Sequence, residues 1–103
     1  MNKKIKNIHP GDVLKEEFLI PMSISVYKLA KETGLSQTRL WQIIRGERSV
    51  TAETALKLGK FFSIEPEFWL NLQNYYDLEE AGKNFAKDLK SIQSVQDLGL
   101  IQA

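Results

Sequence analysis

The sequence predicts an all-α domain of five or six helices on the basis of three observations. Apolar residues recur at the three- and four-residue intervals of amphipathic helices, and no segment reads as a convincing internal strand. Prolines, glycines and hydroxyl side chains stand at positions where helices begin and end. Residues 25–48 combine these signals into two short helices joined by a tight turn, which is the pattern of a helix-turn-helix.

The first three helices follow from their boundary residues. Pro10 and Gly11 open the first helix, which is expected to stop at Pro21 because proline removes a backbone donor. Hydroxyl side chains that can cap a helix N-terminus precede the next three helices: Ser25, Ser36 and Thr51. Glycines that tolerate positive φ follow the second and third helices: Gly34 and Gly46. These two helices are therefore predicted from Val26 to Thr33 and from Gln37 to Arg45.

The remainder of the chain is also predicted to be mainly helical. Thr51 starts a fourth helix, and Pro66 suits the first position of a fifth that runs to about Tyr76 or beyond. A more polar helical segment continues to about Leu89, and the last dozen residues are either a loose tail or a short strand that orders against a partner. We expect one domain over residues 1–103, with the helix-turn-helix at about 25–46 and a C-terminal extension at about 77–103.

Composition limits the classes of function. With no cysteine, the chain of 103 residues has neither a disulfide framework nor a thiolate metal site, which fits a cytoplasmic protein. No apolar run is long enough to span a membrane, and the basic start Met1-Asn2-Lys3-Lys4 lacks the apolar stretch of a signal peptide. The single histidine, His9, has no second ligand at metal spacing. We therefore expect it to be a helix-start residue, and we expect no cofactor, no metal and no enzymatic activity.

The net charge of +1 conceals an asymmetric distribution. Residues 1–60 carry eleven Lys or Arg and six Asp or Glu, a net charge of +5. Residues 61–103 carry three and seven, a net charge of −4. A basic half can neutralise the phosphates of a nucleic acid and release its counterions, whereas an acidic half offers a surface to a basic partner.

The third helix carries the side chains expected to face DNA. Its apolar positions Leu40 and Ile43 point inward, so that its polar residues point outward. Five of these outward or flanking residues are expected to read base edges: Gln37, Thr38, Arg39, Trp41 and Gln42. Seven residues around them are placed to hold phosphates: Ser25, Tyr27, Ser36, Arg45, Arg48, Ser49 and Thr51. Trp41 has an alternative role, in which its indole leans on the second helix.

The fifth helix has more apolar residues than one buried face requires. We expect the surplus to pack against a second copy in a twofold dimer, through Phe68, Leu72, Tyr75 and Tyr76. The alternative is that the C-terminal segment of the same chain folds back over this face.

Several phrases of the sequence resemble the HigA family of addiction-module antitoxins. They are His9-Pro10-Gly11-Asp12-Val13-Leu14, Arg45-Gly46-Glu47-Arg48-Ser49-Val50-Thr51 and Glu67-Phe68-Trp69-Leu70-Asn71-Leu72-Gln73. The resemblance covers roughly residues 5–82 and implies a lambda-repressor-like five-helix DNA-binding domain with a C-terminal helical extension and tail. The sequence departs from the family pattern at Val26, where relatives commonly carry glutamine.

The resemblance also implies partners. It implies a homodimeric repressor that binds its own double-stranded operator and neutralises a HigB-type toxin, a ribosome-dependent mRNA endonuclease. Such a dimer should bind an inverted repeat. Two alternatives stay open at this point, a stand-alone transcriptional repressor and a helix-turn-helix used only for protein interaction.

Overall fold

The computed structural model describes residues 7–101 and consists of helices and turns, with no strand in this range. The all-α prediction is therefore confirmed. The first helix, α1, joins α-helical Pro10–Val13, π-helical Leu14–Leu19 and α-helical Ile20–Met22. The others are α2 (Val26–Thr33), α3 (Gln37–Ile44), α4 (Ala52–Phe62), α5 (Pro66–Asn84) and α6 (Ala86–Ser91). The basic start Met1–Lys4 lies outside the described residues.

The helix-turn-helix boundaries are set by the expected capping residues. Ser25, Ser36 and Thr51 each accept, through the side-chain oxygen, a hydrogen bond from the backbone N–H three residues later. Gly34 and Gly46 follow α2 and α3 with φ of 77° and 76°, a conformation that other residues seldom adopt. The predicted bounds of α2 are confirmed, and α3 ends one residue earlier than expected.

The prediction that the first helix stops at Pro21 is wrong, because α1 includes this residue and ends at Met22. Proline usually interrupts a helix, since it lacks an N–H and its ring collides with the carbonyl four residues earlier. In α1 the preceding residues form wider π turns, and the Ile20 N–H bonds to the Lys15 carbonyl five residues earlier. The wider turns accommodate the proline near the end of the helix.

The core contains a fully buried side chain from each of the first five helices. Trp69 of α5 lies among the aromatic side chains of the core. Its ring centroid is 5.1 Å from that of Phe18 on α1 and 6.2 Å from that of Phe62 on α4. The other four helices contribute leucines with no exposed surface: Leu14, Leu29, Leu40 and Leu58. Burial of these side chains packs α3 against α1 and α2, and packs α5 against α1 and α4.

Helix α1 crosses α3 with the two backbones in direct contact at Gly11. A Cβ at this position would overlap the Ile43 carbonyl oxygen and lie 2.9 Å from the Ile44 Cα. The neighbouring atoms belong to the α3 backbone, so no side-chain rotation could make room. The sequence predicts that Gly11 opens the helix, and the structure shows that Gly11 also sets how closely α1 approaches α3.

His9 caps α1, as the sequence predicted. Its Nδ1 accepts a hydrogen bond from the Gly11 N–H at 2.9 Å, so the proton of the neutral ring is on Nε2. The buried ring lies edge-on to Tyr76 of α5, with centroids 4.8 Å apart. Burial lowers the pKa of His9 below its ordinary value, although the carboxylates of Asp12 and Asp77 act in the opposite direction.

The C-terminal segment does not fold back over α5, since residues 81–101 are exposed throughout. The end of the described chain is a helical turn and not a strand. Ser94 Oγ accepts a hydrogen bond from the Asp97 N–H, while the Asp97 carboxylate accepts one from the Ser94 N–H. Gly99 ends this turn with φ of 72°. Residues 94–99 thus form a locally ordered turn, although they do not contribute to the core.

No helix between residues 7 and 101 has both the length and the apolar composition that are needed to cross a lipid bilayer.

Gly11→Ala is expected to lower the free energy of unfolding by about 3 kcal/mol, because the added methyl group overlaps the α3 backbone. Denaturant unfolding followed by circular dichroism measures the change. Gly82→Ala is the matched control, since a Cβ there meets no atom within 4 Å. The control should be neutral or stabilise the helix by up to about 1 kcal/mol. Equal effects at the two positions would contradict the backbone contact.

The stability contribution of His9 is expected to depend on pH. Because its pKa is lower in the folded chain than in the unfolded chain, its contribution is fully present above about pH 6.5 and is lost as the pH falls further. Unfolding free energies of the wild type and His9→Asn, measured from pH 8 to about pH 5, isolate this effect from the carboxylates. The wild type should lose more stability than the variant over this range. Parallel curves would rule out a lowered pKa.

Candidate nucleic-acid interface

One face of the molecule is formed by α3 and the loop of residues 45–51 that follows it. We call this face the reading surface and the loop the 45–51 loop. Leu40 and Ile43 have no exposed surface and fix α3 against the core, whereas Gln37 and Thr38 in its first turn are exposed. The first turn of α3 therefore presents polar side chains to the outside from a rigidly packed helix.

Arg39 is turned towards α4 in this structure. Its guanidinium Nη1 lies 3.1 Å from Glu53 Oε1, and the second oxygen of that carboxylate lies 2.7 Å from Lys57 Nζ. Hydrogen bonds from Lys57 and Arg39 lower the pKa of the Glu53 carboxyl below its ordinary value. Exposed ion pairs of this kind contribute little to stability, so Arg39 can exchange the carboxylate for another acceptor at little cost.

The other cationic residues of the reading surface also have acceptors within the chain. Arg48 Nε donates to Gln42 Oε1 at 2.9 Å, which joins a predicted phosphate contact to a predicted base contact. Arg45 makes a two-point contact with the Glu47 carboxylate, at 3.2 and 3.3 Å. These bonds hold both arginines beside the C-terminal end of α3.

Trp41 is 45% exposed and faces an apolar groove between the end of α1 and the start of α2. Ile20, Ile24, Val26 and Ile44 line the same groove. This position is compatible with the alternative in which the indole leans on α2, since Val26, the first residue of α2, lines the groove. A base contact by Trp41 stays a prediction.

The hydroxyl residues predicted to hold phosphates lie at helix starts or in the loop. Ser25 and Ser36 use their oxygens as caps, and each hydroxyl can still donate its hydrogen. Thr51 also caps a helix, but its hydroxyl lies 3.3 Å from the Thr54 hydroxyl. Tyr27 on α2 is 63% exposed and Ser49 is exposed in the loop. All these groups except the Thr51 hydroxyl are therefore available to an outside acceptor.

One residue that contacts the 45–51 loop was not predicted from the sequence. Gln73 of α5 is buried, and its Oε1 accepts a hydrogen bond from the Val50 N–H at 2.8 Å. Its Nε2 donates to Asp77 Oδ1 at 2.9 Å. The available signal was its spacing, because Gln73 follows the buried Trp69 by one helical turn and thus lies on the inward face.

The residues predicted to form a dimer interface divide into two pairs. Leu72 packs on the core and Tyr76 contacts His9, whereas Phe68 and Tyr75 are 37% and 76% exposed. Further exposed apolar residues follow along α5, at its end, in α6 and directly after α6: Leu78, Phe85, Leu89 and Ile92. We call these four residues, together with Phe68 and Tyr75, the apolar stripe. The described part of the chain leaves this stripe uncovered.

Comparison with known proteins places this geometry among helix-turn-helix proteins. The family model HTH_3, described as helix-turn-helix, matches residues 14–69. Virulence-associated protein I of Dichelobacter nodosus is 46% identical over 74 residues, which are 72% of this chain and 68% of that protein.

Two solved structures are also similar. An addiction module antidote protein of the HigA family from Coxiella burnetii is 43% identical with a TM-score of 0.82, over 87% of this chain and 99% of that one. The Pseudomonas aeruginosa antitoxin HigA, solved with the higBA promoter, is 34% identical with a TM-score of 0.83, again over 87% and 99%.

Proposed function

We propose that this chain, which belongs to the HigA family of helix-turn-helix antitoxins, is the antitoxin of a type II toxin–antitoxin module. In this role it binds the operator of its own operon as a repressor and neutralises a HigB-type toxin that cleaves mRNA. Both activities take place in the cytoplasm, and neither needs a cofactor or an enzymatic step. A stand-alone repressor without a toxin is the alternative.

The first turn of α3 carries the proposal of sequence-specific DNA binding. Gln37 and Thr38 are exposed there, on a helix that is fixed by two fully buried residues. In helix-turn-helix proteins the N-terminal residues of the second helix meet base edges in the major groove. A glutamine amide can pair with adenine and a threonine methyl can contact thymine, so these two side chains suit base reading. The Pseudomonas aeruginosa HigA structure contains promoter DNA, which supports the same use of this fold.

The surrounding residues suit contacts with the DNA backbone. Arg45 and Arg48 flank the end of α3, and Ser49 follows them in the 45–51 loop. The two arginines now bond to Glu47 and Gln42 on the same surface, and phosphate oxygens can replace these acceptors. Such contacts position a protein on the duplex without reading its sequence.

The apolar stripe supports a dimer. Its three residues on α5, Phe68, Tyr75 and Leu78, recur at intervals of seven and three positions, which is the spacing of a seam between paired helices. A second copy of the chain provides a matching stripe under twofold symmetry. Two reading surfaces related in this way fit an inverted repeat with half-sites about one helical turn apart.

Substitutions on the reading surface should separate phosphate contacts from base contacts. Arg45→Ala and Arg48→Ala are each expected to weaken binding to operator and random duplexes alike, and to reduce the slope of log Kd against log salt by about 1. Gln37→Ala should cost about 1–3 kcal/mol on the operator and relax the preference at one base pair. Fluorescence anisotropy titrations over a range of salt concentrations measure both effects.

Lys83→Ala is the control for these titrations. It removes the same charge from an exposed position near the end of α5, away from the reading surface. It should leave the salt slope unchanged. A Gln37→Ala variant that loses equal affinity for operator and random DNA would contradict base reading by this residue.

The antitoxin role is tested with the product of the neighbouring reading frame. Expression of that product alone should arrest growth, and co-expression with this chain should restore growth and give a complex that co-purifies. The Arg48→Ala variant should still rescue growth, because its defect concerns DNA. If the neighbour is harmless, or if its toxicity persists while the chain binds its operator, the stand-alone repressor is the correct function.

A further inference from the structure

The 45–51 loop has few backbone attachments of its own. Its start is tied to α3 by the Glu47 N–H, which bonds to the Gln42 carbonyl at 2.8 Å. Its end is tied to α4, where the Thr51 carbonyl accepts from the Ala55 N–H at 2.8 Å. Within the described part of the chain, residues 48–50 make no backbone–backbone hydrogen bond. The path of the loop between these ends therefore depends on side chains.

Val50 is the point at which the middle of the loop is attached. Its side chain is 3% exposed, and its N–H donates to the buried Gln73 Oε1. A buried backbone N–H without an acceptor is costly, so this bond strongly favours one position of the loop. The exposed residues on either side, Ser49 and Thr51, are both among the predicted phosphate contacts.

Asp77 fixes the orientation of the Gln73 amide. The Asp77 carboxylate accepts from Gln73 Nε2, one helical turn away on α5. Rotation of the amide by 180° would place its oxygen against that carboxylate and its NH2 group against the Val50 N–H. Both contacts would be unfavourable, so the acceptor is held towards the loop.

We propose that Gln73, oriented by Asp77, is a positioning residue for DNA binding, because it holds the 45–51 loop where the loop can contact phosphates. This inference rests on the proposed operator binding. Gln73 itself is buried behind the loop and acts through Val50. The bond also fixes the loop to α5, the helix that carries part of the apolar stripe. The position of the proposed phosphate contacts is therefore set by the same helix that carries proposed dimer contacts.

The first test replaces the amide by a side chain of similar length without an acceptor. Gln73→Met should accelerate hydrogen exchange of the Val50 amide, reduce affinity for a random duplex of about 30 base pairs roughly tenfold and lower the salt slope by about 1 to 2. Leu70→Ala is the control, since Leu70 packs against the core from the same helix. It should lower stability but leave the salt slope unchanged.

The second test exchanges donor and acceptor. Gln73→Glu alone places two carboxylates against each other and should weaken DNA binding. The double variant Gln73→Glu with Asp77→Asn restores a donor at position 77 and an acceptor for Val50, with the net charge of the wild type. It should recover most of the lost affinity and the salt slope. This rescue does not depend on whether Gln73→Met is stable enough to study.

The outcomes separate this inference from the proposed function. If the wild type binds neither operator nor random duplex, DNA binding itself is wrong. If the wild type binds DNA while Gln73→Met keeps the wild-type salt slope and Val50 exchange, the positioning role is wrong. Failure of the double variant to recover binding lost in Gln73→Glu would also overturn it.

Discussion

The placement of α3 depends on the backbone contact between Gly11 and the residues at the end of that helix. A Cβ at position 11 would occupy the space of the Ile43 carbonyl, so the contact exists only with glycine. His9 lies next to this contact in the chain, where it caps α1 and packs against Tyr76. The helix that presents Gln37 and Thr38 is therefore positioned by rigid backbone as well as by apolar burial.

Helix α5 serves the fold and the proposed function through different faces. Trp69 fills the core, and Gln73, one turn later, holds the 45–51 loop. The exposed face carries Phe68, Tyr75 and Leu78 of the apolar stripe. One helix therefore bears a core side chain, the acceptor for the loop and three exposed apolar residues. The acidic C-terminal half thus contributes to the organisation of the basic half.

Local signals in the sequence were sufficient for the helix-turn-helix, because caps act within a few residues. Ser25, Ser36 and Gly34 could be assigned roles from their neighbours alone, and the structure agrees. The prediction that α1 stops at Pro21 fails because the helix accommodates this proline through the preceding π turns, which no local sequence pattern indicates.

Features that depend on distant partners were beyond the sequence. The Gly11 contact requires knowledge of how α1 crosses α3, and the pairing of Arg39 with Glu53 requires the position of α4. Gln73 was only partly hidden, because its spacing from Trp69 predicts an inward position but does not identify Val50 as its partner. The resemblance to the family predicts the DNA-binding role, whereas these contacts follow only from the folded arrangement of the helices.

The carboxylates among the arginines have a consequence for selectivity. Glu53 lies beside Arg39 and Lys57, and Glu47 lies beside Arg45, so the protein carries internal counterions on the surface that would meet DNA. These anions stay close to the duplex after binding and cancel part of the attraction for any phosphate. In the proposed function, random DNA would be attracted less strongly for this reason, whereas a matching operator would add base contacts that offset the repulsion. On this basis the glutamates would favour discrimination between sequences and lower the overall affinity for DNA.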